Sequence, residues 1–228
     1  DFLWEINEGL HPLLLKKIGK QAIPLSMKIG EAYRIMVITG PNAGGKTVAL
    51  KTVGLLQLLF QSGFHIPVKE GSRFPICRQL FAVIGDEQSI ENDLSTFSSH
   101  VTKVNEILKA ADYRSLILID EIGTGTDPAE GAALAIAILE KLNRPGFLTI
   151  VTSHQERLKA FAHDTEQVVN AAMQFDRQSL KPMFMLEVGI PGSSYAFDIS
   201  KRLGLDDQVL DRVYCGDYDG NAITVIDC

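Results

Sequence analysis

Residues 40–47 constrain the fold of this chain more than any other stretch. They read Gly-Pro-Asn-Ala-Gly-Gly-Lys-Thr and lie between the apolar run 35–38 and the helical pattern of residues 48–61. A glycine, four residues and then Gly-Lys-Ser/Thr, between a strand and a helix, is the phosphate-binding P-loop pattern. The glycines let backbone amides turn inward around phosphates, and the helix points the positive end of its dipole at them. A glycine-rich turn that binds nothing is the alternative, but it leaves the Lys and Thr at these two positions unexplained.

The P-loop pattern also gives its residues individual roles. The residues expected to hold the phosphates are Gly40, Pro41, Asn42, Ala43, Gly44, Gly45, Lys46 and Thr47. Within this set, the Lys46 amine would reach the β- and γ-phosphates, and the Thr47 hydroxyl would ligate Mg²⁺. The sequence therefore predicts a site for a nucleotide together with its metal ion.

A second apolar run ends in two acids. Residues 116–119 are Leu-Ile-Leu-Ile, and Asp120 and Glu121 follow directly. Such a run indicates a strand buried on both faces of a parallel sheet, which would deliver the carboxylates to the phosphate end of that sheet. We expect Asp120 to hold Mg²⁺ or its water, and Glu121 to orient and deprotonate the attacking water. Two acids after a strand are common by chance, but not in a chain that also carries a P-loop.

Two further polar groups follow predicted elements. His154 comes directly after the buried run 148–153, where it can contact a γ-phosphate, although a single histidine is more often structural. Four hydroxyl side chains lie within residues 95–99, at the start of an amphipathic helix. One hydroxyl would be enough for an ordinary helix cap. Several at the positive end of a helix also suit an anion site, and the residues alone leave both interpretations open.

The remaining patterns predict an α/β fold. Further strands are expected at residues 23–29 and 80–84, and a β-hairpin from residues 168–175 and 183–188. The predicted helices cover residues 48–61, 101–108, 129–142, 156–162, 195–203 and 206–213. Residues 214–228 are expected to be a linker or a non-native tail.

Composition and charge exclude several classes of protein. The chain has 228 residues, 46% apolar and 22% charged, which suits a globular protein with a substantial core. No run is long enough to span a membrane and the amino end lacks a signal-peptide pattern, so we expect a cytoplasmic protein without a membrane partner. A net charge of −6 disfavours broad nonspecific binding to nucleic acid, which needs clustered Lys and Arg. Cys77, Cys215 and Cys228 have unrelated spacings, which favours free thiols over a disulfide framework or a zinc site.

Four segments in chain order carry a resemblance to a known family. They are residues 39–47, Ser95-Thr96-Phe97, the run Asp-Glu-Ile-Gly-Thr-Gly-Thr at 120–126, and Thr152-Ser153-His154. Together they resemble the ATPase domain of the MutS family, a relative of the ABC ATPases, and the match covers residues 10–213. The resemblance implies a P-loop NTPase of ABC type, with a mostly parallel central sheet flanked by helices, a peripheral β-hairpin and small C-terminal helices. One such domain would cover residues 1–213.

The resemblance also implies ligands and partners. ATP with Mg²⁺ would occupy the P-loop, and Glu121 and His154 would serve catalysis. We also expect Ile23 and Gln88 to contact the nucleotide. The helix that begins near Ser95 would lie too far from its own P-loop to touch the same nucleotide. In a homodimer with twofold symmetry, each such helix would instead close over the other subunit's γ-phosphate.

Finer details resemble the second bacterial branch of that family. They are Gly-Asp-Glu-Gln-Ser-Ile-Glu at 85–91, Ser-Ser-His at 98–100, Thr-Asp-Pro-Ala-Glu-Gly at 126–131, and residues 189–197. That branch is linked to suppression of recombination and, in some bacteria, to rescue of collided ribosomes. The resemblance implies an ATP-driven, DNA-acting dimer rather than a mismatch reader, with the ribosome as a further partner. DNA would be contacted by segments absent from this chain, namely clamp segments before it and a small nuclease-like domain after it.

Two other classes of P-loop protein share parts of this pattern. The nucleotide-binding engine of a membrane transporter would carry a Ser-Gly-Gly-Gln type of signature where this chain has Ser-Thr-Phe-Ser at 95–98. A small-molecule kinase tends to use an Arg-bearing lid, and it lacks the acid and the histidine found at Glu121 and His154. The ATPase switch is the favoured interpretation, and the transporter engine is the alternative.

Overall fold

The computed structural model describes residues 2–41, 44–85, 93–176, 179, 181–192, 200 and 203–206, with the backbone alone at 93–96. Its elements are, in chain order, β1 (Trp4–Gly9), α1 (Pro12–Ile18), a 3₁₀ turn (Gly19–Gln21), β2 (Leu25–Ile29), β3 (Ile35–Thr39), α2 (Lys46–Gln61), β4 (Gln79–Val83), α3 (Asp93–Ala110), β5 (Ser115–Ile119), α4 (Pro128–Leu142), β6 (Phe147–Thr152), α5 (Glu156–Asp164), β7 (Val168–Asp176) and β8 (Lys181–Val188).

Six of these strands form one sheet in the order β4-β5-β6-β3-β7-β8. The strands from β4 to β7 in this order are all parallel to their neighbours, and β8 runs antiparallel to β7. Strand β3, which precedes the P-loop, lies between β6 and β7, and β5 is the next strand beyond β6. Because parallel strands end at the same edge of a sheet, the residues that follow β3, β5 and β6 meet at one carboxyl edge.

The central strands are buried between two apolar layers. Every residue of β3 and of β5 is buried, which is why both read as continuous apolar runs. Alternate side chains belong to different layers: Met36 and Ile38 pack in the layer that contains α2, β1 and β2. Ile35 and Val37 pack in the opposite layer with α3, α4 and α5. The predicted parallel sheet flanked by helices is confirmed.

The amino-terminal strands join this core through α2. Strands β1 and β2 pair antiparallel, and β2 alternates buried and exposed side chains as its sequence predicts. Trp4 is fully buried, and its indole Nε1 donates a hydrogen bond of 2.8 Å to Gln57 Oε1 on α2. The Trp4 ring also meets Phe74 edge-on, with 5.2 Å between the ring centroids. The small sheet is therefore fixed to the helix that follows the P-loop.

Several boundaries agree closely with the sequence patterns. Helix α2 begins at Lys46, two residues before the predicted start, and Gly63 ends it in the left-handed conformation with φ of 78°. Asp127 caps α4 as its position suggests, since its carboxylate accepts hydrogen bonds from the amides of Ala129 and Glu130. The hairpin of β7 and β8 is also present.

Other expectations need correction. The apolar run at 80–84 is typical of a buried strand, but β4 is only half-buried because it is the edge strand of the sheet. The hairpin was expected at the periphery, yet its first strand, β7, is a parallel neighbour of β3 and only β8 lies at the edge. Helix α1 was not predicted, although His11 caps it with Nδ1 and Pro12 follows at its first position. On α3, the apolar pattern at 101, 104 and 107 would place all three side chains on one buried face, but Val101 is 36% exposed, whereas Val104 and Ile107 are buried.

Some expectations fall outside the described residues. These are Asn42, Ala43, Gln88, most of the predicted helices at 195–203 and 206–213, and the tail at 214–228. The extent of the domain over residues 1–213 stays a prediction. Of the helices within the described ranges, none combines the length and the apolar character that crossing a membrane requires.

Candidate nucleotide-binding site

The register of the central strands brings the predicted site residues to one edge. Ile38 at the end of β3 pairs with Thr152 of β6, and Ile119 of β5 pairs with Val151. Asp120 and Glu121 therefore leave the sheet beside Thr152, which itself lies beside the strand that enters the P-loop. The two motifs that the sequence separates by more than 70 residues are neighbours in the fold.

The described part of the P-loop has the backbone that its glycines predict. Gly45 is left-handed, with φ of 95°, at the cap of α2, and a residue with a Cβ is strained in this conformation. The Gly44 amide donates to the carbonyl of Pro41 at 2.9 Å, which closes the turn. The amino end of α2, a helix of 16 residues, thus opens on the loop with its first amides unpaired within the helix.

Lys46 lies inside this loop rather than in solvent. The residue is only 2% exposed, and its Nζ donates a hydrogen bond of 2.6 Å to the carbonyl of Gly40. Burial lowers the pKa of the amine, while the nearby charges of Glu121 and Asp120 oppose that shift. The structure therefore brings together the lysine and the two acids that the sequence placed in separate motifs.

Thr152 links the two acids. Its hydroxyl donates to Asp120 Oδ1 at 2.5 Å and accepts from the Glu121 amide at 2.8 Å. Thr152 is fully buried, and its carbonyl accepts from the Ile122 amide at 3.1 Å. The hydroxyl restrains the Asp120 carboxylate and the Glu121 backbone at once. Thr152 belongs to one of the four segments that carry the family resemblance, but no role was predicted for it, because that role depends on which strands are neighbours.

Glu121 has a left-handed backbone, with φ of 49°, which is uncommon for a residue with a side chain. Such a conformation costs about 1–3 kcal/mol and persists only where the surroundings enforce it. Here the Glu121 amide is held by Thr152, and the Glu121 carbonyl accepts from the Thr124 hydroxyl at 2.8 Å. Glu121 is half-buried, so a carboxylate there can meet both the site and a water molecule.

The loop after Glu121 is held by close backbone contacts. A Cβ added at Gly131 would lie 2.0 Å from the carbonyl oxygen of Gly123, so the first turn of α4 can approach this loop only without a side chain. Gln155 Nε2 donates to the same Gly123 carbonyl at 2.8 Å. The absence of a side chain at Gly131 thus lets α4 hold the loop that carries the acids.

The two remaining catalytic candidates are placed less completely. His154 follows β6 and is exposed at the same edge as the P-loop. Ser95 lies in the first turn of α3, where helix amides are unpaired within the helix, but its side chain is outside the described residues. Helix α3 begins at Asp93, so both Ser98 and Ser99 lie beyond its first turn, and neither is at a capping position. Phe97 contacts the acid loop, since a Cβ at Gly125 would be 3.3 Å from Phe97 Cβ.

Ile23 lines an apolar cavity beside the P-loop. Its volume is about 360 Å³, and Ile23 itself is 46% exposed. The other walls include Gly45 and Val48 of the P-loop and α2, and Phe184 of β8. Phe184 is 49% exposed and left-handed, with φ of 57°. The sequence did not identify Phe184, although four apolar residues in succession at 183–186 break the alternation that an ordinary hairpin strand would show.

Comparison with known proteins gives a consistent result. The family model of MutS domain V matches residues 36–215. The chain is 50% identical over 207 residues to an endonuclease MutS2 of Halalkalibacterium halodurans, 53% identical over 207 residues to one of Clostridium botulinum, and 54% identical over 208 residues to one of Pelotomaculum thermopropionicum. Each match covers 91% of this chain and 26% of the relative, so the chain spans about a quarter of the length of these proteins.

These matches agree with the geometry of the carboxyl edge. The relatives are MutS2 proteins, which confirms the resemblance to the second bacterial branch, and the match gives no support to a transporter engine. MutS domain V is an ATPase domain, which agrees with the presence of a P-loop sequence and paired acids. The chain belongs to the MutS domain V family.

Proposed function

We propose that this domain binds ATP on residues 40–47 and hydrolyses it with Glu121 as the general base. The observation that carries this proposal is the meeting of Lys46, Asp120 and Glu121 at one edge of the sheet, with Thr152 joining the two acids. A carboxylate held next to a phosphate cradle can accept a proton from the attacking water. His154, exposed at the same edge, is the proposed contact for the γ-phosphate.

The metal ion forms part of the same proposal. Thr47 and Asp120 offer the hydroxyl and carboxylate oxygens that Mg²⁺ prefers, and Mg²⁺ commonly shares its coordination with substrate phosphates. When bound, the ion would neutralise charge on the transferred phosphoryl group. Thr152 would keep the Asp120 carboxylate oriented toward it through the 2.5 Å hydrogen bond.

The apolar cavity is the proposed site of the nucleotide base. It opens beside Gly45, so a base in the cavity and phosphates on the loop can belong to one molecule. Ile23 and Phe184 would contact the base from opposite segments of the chain, since both line the cavity and both are about half exposed. Apolar walls with few polar groups are typical of nucleotide-base pockets. Gln88 stays a predicted contact.

The dimer is a proposal as well. Ser95 would reach the γ-phosphate of a second copy, so that each of two sites is built from both chains. Support comes from the first turn of α3, which contains Ser95 and has its amides unpaired within the helix. Through Phe97, α3 also contacts the acid loop of its own chain, which would couple the two sites.

A further part of the proposal concerns the role of the whole protein. We propose that closure and opening of such a dimer switches a DNA-acting, cytoplasmic protein that controls recombination, with the ribosome as a second partner to test. Support comes from the curated name of the relatives, endonuclease MutS2, of which this chain spans about a quarter. The contacts with DNA would come from other segments of the protein.

Mixing two inactive variants tests the composite site. Lys46→Ala removes the phosphate contact, and Ser95→Arg blocks the proposed contact to the partner's nucleotide. A mixed dimer retains one intact site, built from the P-loop of the Ser95→Arg chain and the Ser95 of the Lys46→Ala chain. We expect each variant alone to be nearly inactive in a phosphate-release assay, and the mixture to recover part of the wild-type rate. If mixed dimers form and the rate stays at zero, Ser95 does not act on the partner's nucleotide.

A further inference from the structure

The segment that follows β8 returns to the strand that enters the P-loop. The Gly189 amide donates to the Asn170 carbonyl on β7 at 2.7 Å. Three residues later, the Gly192 amide donates to Thr39 Oγ1 at 2.7 Å. Thr39 is fully buried at the end of β3, and its hydroxyl donates in turn to the Ala171 carbonyl at 3.3 Å. Residues 189–192 are thus hydrogen-bonded to β3, the strand that enters the P-loop, and to its neighbour β7.

Gly192 is needed for space rather than for its backbone angles. It does not have the left-handed φ that many other glycines of this chain have. A Cβ at this position would lie 2.8 Å from the Gly40 nitrogen and 2.8 Å from the Thr39 carbonyl carbon, which are backbone atoms. A flexible side chain could move away from such a contact, but these backbone atoms can move only if the P-loop entrance shifts. A residue larger than glycine at 192 would therefore either displace the start of the P-loop or push residues 189–192 away and break the hydrogen bond from Gly192 to Thr39.

Either change would alter the surroundings of Gly40 and so reach the phosphate-binding lysine. Gly40 is the first residue of the P-loop, and its carbonyl accepts the 2.6 Å hydrogen bond from Lys46 Nζ. Thr39, whose hydroxyl accepts from Gly192, and Gly40, whose carbonyl accepts from the lysine, are adjacent in the chain. We propose that Gly192, through Thr39, is a positioning residue for the P-loop: it sets where Gly40 lies and hence the affinity for the phosphates of ATP. This inference rests on the ATP site proposed above.

Three variants test the inference in the full chain. Gly192→Ala adds the clashing Cβ, Thr39→Val removes the hydroxyl while keeping the branched shape, and Thr39→Ser keeps the hydroxyl. We expect Gly192→Ala to weaken binding of a fluorescent ATP analogue at least about tenfold, and Thr39→Val about 3- to 10-fold, as the loss of one buried hydrogen bond would. Thr39→Ser should bind within about twofold of wild type. Ile190→Ala, a control in the same segment whose side chain is 47% exposed, should bind like wild type.

A purely structural role would give a different pattern. In that case Gly192→Ala or Thr39→Val would lower the melting temperature but leave the dissociation constant unchanged, and the inference would be overturned. Equal weakening by Thr39→Val and Thr39→Ser would also overturn it, because the hydroxyl would then be irrelevant. If Gly192→Ala does not fold, the Thr39 pair decides. Wild-type chain that binds no nucleotide would instead overturn the ATP site itself.

Discussion

Two buried polar contacts in this domain have similar chemistry and different surroundings. At the carboxyl edge of the sheet, the Thr152 hydroxyl joins Asp120 and the Glu121 amide. On α2, the side-chain amide of Gln57 accepts from the Trp4 indole and donates to the carbonyl of Pro75 at 2.8 Å. Both side chains are fully buried and neutral. The first contact ends at half-buried carboxylates, whereas the second lies beside the apolar layer that contains Trp4, Leu56 and Cys77.

Because of these surroundings, we expect the Thr152 contact to affect mainly catalysis and the Gln57 contact to affect mainly stability. Thr152 restrains groups within a few residues of the proposed reaction, so its loss should change turnover more than folding. Gln57 joins residues that are 53 and 18 positions away in sequence, so its loss should change folding and leave the site intact. Buried polar groups that lose their partners cost about 1–3 kcal/mol. If the two contacts differ in this way, changes at Thr152 and the acids will lower turnover, and changes at Gln57 will lower stability.

The largest effect is expected at the acid next to Thr152. Glu121→Gln keeps the size of the side chain but removes the base, so ATP turnover should fall by about 10²–10⁴-fold while nucleotide binding persists. Single-turnover phosphate release measures the drop, and a binding titration checks retention. Glu140→Gln, an exposed position on α4, is the control and should be unaffected. Normal turnover in Glu121→Gln would move the base elsewhere, with His154 the next candidate.

A smaller loss of turnover is expected from Thr152→Val. The change removes the hydroxyl that orients Asp120 and holds the Glu121 backbone, so kcat should fall about 10- to 100-fold and the Mg²⁺ concentration needed for half-maximal activity should rise. Thr152→Ser should recover most of the rate. Thr149→Val offers a matched control on the same strand, because the Thr149 hydroxyl is buried and has no hydrogen-bond partner among the described residues. Equal kcat in Thr152→Val and Thr149→Val would remove Thr152 from the mechanism.

Some features of the site could be predicted from the sequence, and others could not. The P-loop, the paired acids and the strand that carries each are local patterns, so residues 40–47 and 116–121 were predictable without coordinates. Thr152 and Phe184 were not assigned, because their roles depend on which strands are neighbours. The sheet order that places β7 beside β3, and β4 at the edge, is likewise set by long-range packing rather than by a local pattern.

The cavity beside the P-loop provides a milder test on the binding side. Ile23→Ser reduces the apolar surface offered to a base, so the dissociation constant for ATP should rise about 3- to 10-fold with kcat little changed. Ile76→Ser is the control, since Ile76 is 59% exposed and does not line the cavity. A change in kcat without a change in affinity would show that Ile23 does not contact the bound nucleotide.

The smallest effect on activity is expected at the other polar contact. Gln57→Leu leaves the Trp4 indole and the Pro75 carbonyl without their partner, so the free energy of unfolding should fall by about 1–3 kcal/mol. Chemical denaturation measures this loss. Turnover per folded molecule should stay within about twofold of wild type. Thr149→Val, which removes a buried hydroxyl that has no partner among the described residues, should not destabilise the fold. A Gln57→Leu chain with normal stability and reduced turnover would reverse the comparison.

The most direct test of the account is a binding titration with wild-type chain and Lys46→Ala in parallel, using a fluorescent ATP analogue. Lys46 is almost fully buried, and its amine lies inside the loop, held by the Gly40 carbonyl and close to both acids. Removing it deletes the charge that meets the phosphates in a partly desolvated cradle. We predict saturable binding by the wild-type chain and no measurable binding by a folded Lys46→Ala chain. Identical titration curves would contradict this prediction, because the nucleotide would then bind elsewhere.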